Sequence, residues 1–244
     1  GPVLVAPGDA GLPATKNPLA DTMPEPLMWR CILEGRYNST GMPYGSDFYP
    51  ETIKESDFKW LHIEGRNTLQ TAVGAADMLE AIQKLDLVTT LSYSFDTSAN
   101  YADIVLPLTT EWERVGGFPG HQRSRETLIV YNQVTEPLWE AKTEFEIGRM
   151  MAEAVGLSPD ELWPFSETQA FFNQIAGAPL LDADGEKKPL VTITDDDIAQ
   201  WGVEGADQEG FVDLASFLQA GCYTVQRSEG DAYSFIGYED FIAD

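Results

Sequence analysis

Three short apolar runs, each followed by polar residues, dominate the middle of the chain. Phe58–Ile63, Leu87–Leu91 and Asp103–Leu106 predict β-strands, and Pro107 stops the third. Between the first two, Ala75, Met78, Leu79 and Ile82 recur at i, i+3, i+4 and i+7, which predicts a helix over 72–84. Gly65-Arg66-Asn67-Thr68 is the turn that leads towards it. A strand–helix–strand unit implies parallel strands with a right-handed crossover. The link Ser92–Tyr101 is short for a crossover of about a dozen residues. A tight helical turn at Thr97–Tyr101 would let the second and third strands lie side by side. Gly65 and Ser92 would then share the carboxyl edge of one sheet.

The flanks read differently. Residues 1–57 carry eight prolines and predict an irregular lead, with short strands at Val3–Val5 and Met28–Leu33. Further on, Ile147, Met150, Met151, Ala154 and Val155 share one face of a helix over 143–155. Ser158-Pro159-Asp160-Glu161 is a helix start, and Ser166-Glu167-Thr168-Gln169 is a capping box before an apolar run. Beyond 177, Asp184-Gly185 predicts a turn, and Thr194–Gln200 and Asp213–Gln219 predict short helices. The expected fold is α/β: an open, mostly parallel sheet with helices on both faces. The expected segments are a lead at 1–57, an α/β domain at 58–176 and a mixed acidic extension at 177–244.

Composition narrows the function classes. Of 244 residues, 40 are acidic and 15 are Lys or Arg, for a net charge of −25. A nucleic-acid binder needs a basic footprint, and an anionic membrane surface would repel this chain. Residues 181–244 hold 15 acids against 3 bases. No apolar run approaches the ~18 residues of a membrane helix, and no signal peptide is visible. Gly1-Pro2 in place of an initiator Met has the form of a protease scar. Cys31 and Cys222 form no CxxC, and two histidines, His62 and His121, are too few for a His-based metal site.

The sharpest candidate chemistry sits in the loops that leave the three strands, because ligands of open parallel sheets lie beyond the strands' carboxyl ends. Gly65 permits close backbone approach, and the helix after it offers N–H groups to an anion. Arg66 supplies a charge-assisted bond to phosphate. Ser92, Asp96, Thr97 and Ser98 suit a ribose or a base edge. The plainer alternative is a set of solvated αβ turns, which every doubly wound fold possesses. No GxGxxG, GxxxxGK[ST] or GxSxG is present. Asp195-Asp196-Asp197 lacks the spacing of a calcium loop and reads as first-turn acids favoured by a helix dipole. His62 reads as a hydrogen-bonded strand residue. His121 with Arg123 and Arg125 is the one locally basic spot, suited to an anionic ligand or, more simply, to pairing with the acidic surface.

Several of these stretches together resemble the molybdopterin oxidoreductases of the dimethyl sulfoxide reductase family. Trp60–Thr68 resembles that family's strand and Gly-x-Asn-Pro turn. Leu85–Val88 and Thr97–Pro107 resemble its "LD.VV…T.TA..ADIVLP" stretch. Glu113–Gly117 and Glu136–Thr143 are similar to its "E…G" turn and "EP.WEAK.D" run, and 202–210 with 238–241 to its tail before a C-terminal barrel. The resemblance implies the later half of a split Rossmann-like domain that cradles one molybdopterin guanine dinucleotide. In the family two of these hold molybdenum or tungsten. Gly65, Arg66, Asn67 and Thr68 would lie near the dinucleotide. The family's guanosine-binding acid falls on Ser92, and its two threonines fall on Asp96 and Ser98, all three being departures.

The resemblance implies a two-electron reduction, dehydroxylation or oxygen-atom transfer in a bacterial enzyme of anaerobic respiration, cytoplasmic or exported. The chain alone is expected to be a non-catalytic fragment holding no cofactor. It shows no iron–sulfur cysteine set, metal ligand or pterin-gripping barrel. Its implied partners are the remainder of its own catalytic subunit and an iron–sulfur electron-transfer subunit. The alternatives are a molybdenum-free subunit sharing the fold and a stand-alone acidic binding module.

Overall fold

A computed structural model describes residues 3–13, 27–38, 52–116, 126–231, 233 and 241. The chain divides into two compact units, Thr15–Thr110 with Pro137–Ile147, and Gly1–Ala14 with Glu111–Glu136 and Gly148–Asp244.

The first unit contains the parallel sheet. It begins with α1 (Met28–Glu34), which ends on Gly35 in the left-handed conformation at φ 65°. The strand expected at Met28–Leu33 is therefore a helix. Trp29 and Ile32 lie at helical spacing and are buried with Ile63, Leu69, Met78, Ala81 and Val88, a stripe that a strand would have split between two faces. β1 (Arg36–Asn38) and β2 (Ile53–Glu55) form an antiparallel pair.

Then come β3 (Trp60–Glu64), α2 (Thr68–Thr71), α3 (Ala75–Ile82), β4 (Leu87–Ser92), α4 (Thr97–Tyr101) and β5 (Ile104–Pro107). The sheet order is β3-β4-β5, all parallel, with Glu64 opposite Leu91 and Ser92 opposite Pro107. Val88, Thr89, Thr90 and Leu91 are all buried, as a central parallel strand requires. Asp103 fastens the start of β4: its carboxylate accepts from Val88 N at 2.7 Å, and its own N–H donates to Val88 O at 2.8 Å. The tight turn α4 closes the short β4–β5 link as expected.

The helix expected over 72–84 is the shorter α3, and an additional single turn, α2, precedes it. Gly74 stands at φ 92°, which only glycine adopts freely, and it breaks the run between α2 and α3. The buried stripe of α3 also differs from the expected one. Met78 and Ala81 face the core, whereas Leu79 is exposed. The unit closes with the start of α5 (Glu144–Ala154), where Thr143 Oγ1 accepts from Glu146 N and Glu146 Oε2 accepts from Thr143 N.

In the second unit β6 (Thr127–Ile129) pairs with the last strand. α6 (Pro159–Leu162) is capped by Ser158 and α7 (Glu167–Ala176) by Ser166. Gln169 does not complete a capping box. Its amide instead bridges Asn173 and Glu204. β7 (Pro179–Leu181) and β8 (Lys187–Pro189) form a hairpin around Asp184-Gly185, and Val5 bridges Leu180 without a full strand. β9 (Val191–Thr192) runs parallel to β10 (Val212–Asp213). α8 (Asp195–Trp201) opens on a capping box of Thr194 with Asp197, which accounts for the acidic triplet. α9 (Leu214–Ala220) is capped by Asp213, and β11 (Cys222–Thr224) closes on β6. Phe172, Ile175, Leu190, Val191, Ile193 and Phe217 form the core of this unit. Gly210 passes so close to β9 that a Cβ would lie 2.4 Å from the Val191 carbonyl carbon, so no larger residue fits there.

Among the described residues no helix is long and apolar enough to cross a membrane. Nor do any three or more His, Cys, Asp or Glu side chains among them group to hold a metal ion. Cys31 is buried and Cys222 exposed, both as free thiols. His121, Arg123 and Arg125 lie outside the described residues, as does the resembling tail at 238–240.

The hairpin turn carries a testable charge. Lys188 beside Asp182, with backbone N–H groups of Glu186 and Asp184, holds the Asp182 carboxyl below the usual carboxylate range. A depressed folded pKa stabilises above the unfolded value and is lost as pH falls through the folded one. The stability gap between wild type and Asp182→Asn should therefore be full near pH 6 and shrink as pH falls from about 5 towards 2. Thermal melts across that range check it, and a gap independent of pH contradicts it.

Candidate functional site at the carboxyl edge of the sheet

The parallel register sets the geometry. Because Glu64 pairs with Leu91, the chain leaves β3 at Gly65 and β4 after Ser92 on one edge. Two loops arise there, Gly65–Asn67 before α2 and Tyr93–Asp96 before α4. Gly65 adopts φ 60°, and nothing lies within 4 Å of where its Cβ would be, so the backbone presents an open face. Arg66 beside it is exposed. Thr68 is buried in the first turn of α2, leaving its hydroxyl little access to a ligand.

The two loops are stitched together by one amide and one hydroxyl. Asn67 Oδ1 accepts from Ser98 N at 3.1 Å and from Ser98 Oγ at 3.0 Å. Ser98 Oγ in turn accepts from Leu69 N at 3.2 Å. Since Ser98 N can only donate, the oxygen of the Asn67 amide faces it and the nitrogen faces Gln70 Oε1, 2.6 Å away. Gln70 Oε1 also receives Thr97 Oγ1 at 3.3 Å. Ser98 is fully buried. Asn67 and Ser98 thus fix the crevice's shape, with their polar atoms turned to each other.

Asp96 and Ser92 serve the second loop. Asp96 is the N-cap of α4, with Oδ1 accepting from Ala99 N at 2.9 Å. Ser92 Oγ donates to Ser94 O at 2.6 Å and accepts from Ser94 N at 3.3 Å, and it lies 3.4 Å from Asp96 Oδ2. One hydroxyl proton cannot serve both oxygens, and the shorter bond holds it. The structure thus brings together all seven residues singled out in the sequence. Gly65 and Arg66 are exposed, and Asn67, Thr68, Ser92, Asp96 and Ser98 are engaged mainly in building the loops.

Three further residues escaped the sequence reading. Gln70 bridges the loops, and its signal was available: Asn67-x-x-Gln70 is the spacing of a capping box. Tyr93 and Phe95 are two exposed rings in a stretch whose composition reads as polar. His62 is the hydrogen-bonded strand residue expected, with Nδ1 2.7 Å from Thr89 Oγ1, to which Trp60 Nε1 also donates.

Removing the Ser98 hydroxyl leaves the Leu69 N–H without its acceptor inside the protein. Ser98→Ala should cost about 1–3 kcal/mol. Thr97→Ala, which removes one long and partly exposed bond, should stay within roughly 0.5 kcal/mol. Denaturant unfolding of the two variants checks the contrast, and equal effects would contradict the stitch.

Comparison with known proteins places this geometry. The family model described as molybdopterin oxidoreductase matches residues 34–154, which include the sheet and both loops. A trimethylamine-N-oxide reductase of Vibrio vulnificus is 32% identical over 108 residues, 44% of this chain and 13% of that protein. The thiosulfate reductase molybdopterin-containing subunit PhsA of Salmonella typhimurium is 27% identical over 137 residues, 56% of this chain and 17% of that one. Among solved structures, acetylene hydratase from Pelobacter acetylenicus superposes with a TM-score of 0.51 at 18% identity, covering 88% of this chain and 22% of that chain. The aligned stretch is thus well under a quarter of these relatives' length. Residues 34–154, just under half of the chain, thus match the molybdopterin oxidoreductase family.

Proposed function

We propose that this chain is the dinucleotide-cradling region of a bis(molybdopterin guanine dinucleotide)-dependent oxidoreductase. The observation that carries the reading is the shared sheet edge. There the open backbone at Gly65 and the loop after Ser92 are locked into one crevice by Asn67 and Ser98. The residues fit such a group at its phosphate end: Gly65 leaves room for close backbone approach, and Arg66 brings a guanidinium that matches phosphate geometry. Ser92, Asp96 and Ser98 shape the wall on the nucleoside side. α2 is a single turn, so the long helix expected to support an anion is replaced here by the glycine turn itself.

When bound, the group supplies two-electron chemistry at molybdenum or tungsten in the parent enzyme. This chain's residues bind and orient the nucleotide end. In this reading the partners are the remainder of the catalytic subunit and an iron–sulfur electron-transfer subunit, and the chain alone carries no activity.

Titration of the 244-residue chain with millimolar guanosine diphosphate, followed by amide NMR, tests the reading. Shifts should concentrate at 65–68 and 92–98, and Arg66→Gln should weaken binding roughly 10-fold or more. No perturbation at either loop would refute the cradle. Elemental analysis of the purified chain should find no stoichiometric molybdenum or tungsten, and about one metal per chain would refute the fragment.

A further inference from the structure

One large side chain stands almost wholly in solvent. Trp139 is 94% exposed, and among the described residues it alone, glycines aside, has a positive φ, at 50°. A bulky side chain in the left-handed region crowds its own backbone, and turn positions of this kind are normally filled by Gly or Asn. The turn is nonetheless firmly built. Ala141 N donates to Leu138 O at 3.0 Å, which closes it over Trp139 and Glu140. Lys142 then lies parallel to Leu108 just beyond β5. Its N–H donates to Pro107 O at 3.1 Å, and its C=O accepts from Thr109 N at 3.0 Å. The ring is thus presented on a support tied to the sheet, in a conformation that costs stability and gains no burial within the chain. Pro137, Leu138 and the acid Glu140 around it are exposed as well. Backbone strain of this kind gathers where a protein meets a ligand or a partner.

We propose that Trp139 is a docking anchor, received by an apolar pocket with a Lys or Arg on the side facing Glu140, and that this pocket belongs to the remainder of the parent polypeptide. The proposal rests on the reading above of this chain as one region of a longer catalytic subunit, and it adds where that region is held. Two observations choose the occupant. The stretches matched in the trimethylamine-N-oxide and thiosulfate reductases are 13% and 17% of those proteins, so most of such a polypeptide lies outside this region. The tip is also small. A buried Trp covers about 150–250 Å², and three residues around it stay short of the ~800 Å² that each side of a stable complex between separate proteins buries. A pocket joined through the chain meets the ring at high effective concentration and needs no such area. A second copy of this chain fits worse, since both copies would carry the net charge of −25. Docking would bury the ring and so offset the cost of its backbone conformation.

The test compares the 244-residue chain with the whole parent polypeptide, each as wild type, Trp139→Asn and Glu140→Lys. Asn tolerates the left-handed region, so in the 244-residue chain Trp139→Asn should raise the melting temperature by about 2–4 °C, as relief of a strain that no contact offsets. In the parent polypeptide the same change should loosen the turn. Proteinase K should cut within 137–141 at least about 10-fold more slowly in the parent than in the 244-residue chain. Trp139→Asn should remove most of that protection, and Glu140→Lys a smaller part of it. A parent cut there as fast as the 244-residue chain, or protection that survives Trp139→Asn, overturns the anchor. So does a fall in the melting temperature of the 244-residue Trp139→Asn variant, which would mean that the ring already packs within this chain. Protection untouched by Glu140→Lys overturns the cationic side of the pocket. A 244-residue chain that sediments as a dimer, and as a monomer after Trp139→Asn, overturns the choice of occupant. A parent gene that encodes no more than this chain overturns the anchor together with the fragment reading. The guanosine diphosphate shifts at 65–68 and 92–98 test the cradle without involving Trp139, so the two readings fail separately.

Discussion

The crevice depends on one buried contact, the Asn67 amide against the Ser98 hydroxyl and N–H. Each strand-end loop has its own local support: Gly65 turns the first, and Asp96 caps the second. Neither support fixes one loop against the other. That task falls to Ser98, which is fully buried, donates to Asn67 Oδ1 and accepts from Leu69 N. A hydrogen bond contributes about 1 kcal/mol net, but a buried donor left without its acceptor costs about 1–3 kcal/mol. The stitch therefore acts more by what its absence would cost than by its own strength. It also explains why two residues with ligand-like chemistry point at each other: their polar atoms hold the two loops together.

The parallel sheet was legible because its signals are local and mutually consistent. β4 reads as a strand from its apolar β-branched run, and the ADIVLP stretch reads as β5 with Pro107 at its end. The short link between them demands a tight turn, which α4 supplies. Register then follows, and with it the common edge of Gly65 and Ser92. The errors have physical sources too. The run at 28–33 is short and apolar, a pattern that strand and helix share, and only packing against Met78 and Ala81 decides for the helix. At 72–84, helical spacing overrode the conformational signal of Gly74.

At the site, the sequence showed which residues gather but not which way they face. Asp96 has the chemistry of a base-edge reader, and only the placement of Ala99 N makes it a helix cap. Asn67 and Ser98 have the chemistry of ligand contacts, and only the closeness of the loops in space turns them inward. Tyr93 and Phe95 went the other way. They lie in a stretch that reads as a polar loop, and only the structure shows two large rings exposed there. Side-chain direction in a loop is set by a few hydrogen bonds, and no periodicity encodes it.

The charge of the chain bears on how an anion is held. A net −25 works against a phosphate at long range, but half of that excess lies in residues 181–244. Screening over about 8 Å at physiological ionic strength leaves the decision to nearby groups. Those near the crevice in sequence are few: Glu64 at the end of β3, Arg66 in the turn and Asp96 at the cap. Their charges sum to −1, so this edge is no electrostatic funnel for an anion. In the proposed reading, phosphate is held at short range by the guanidinium of Arg66 and the open backbone at Gly65 rather than drawn in by the field of the chain.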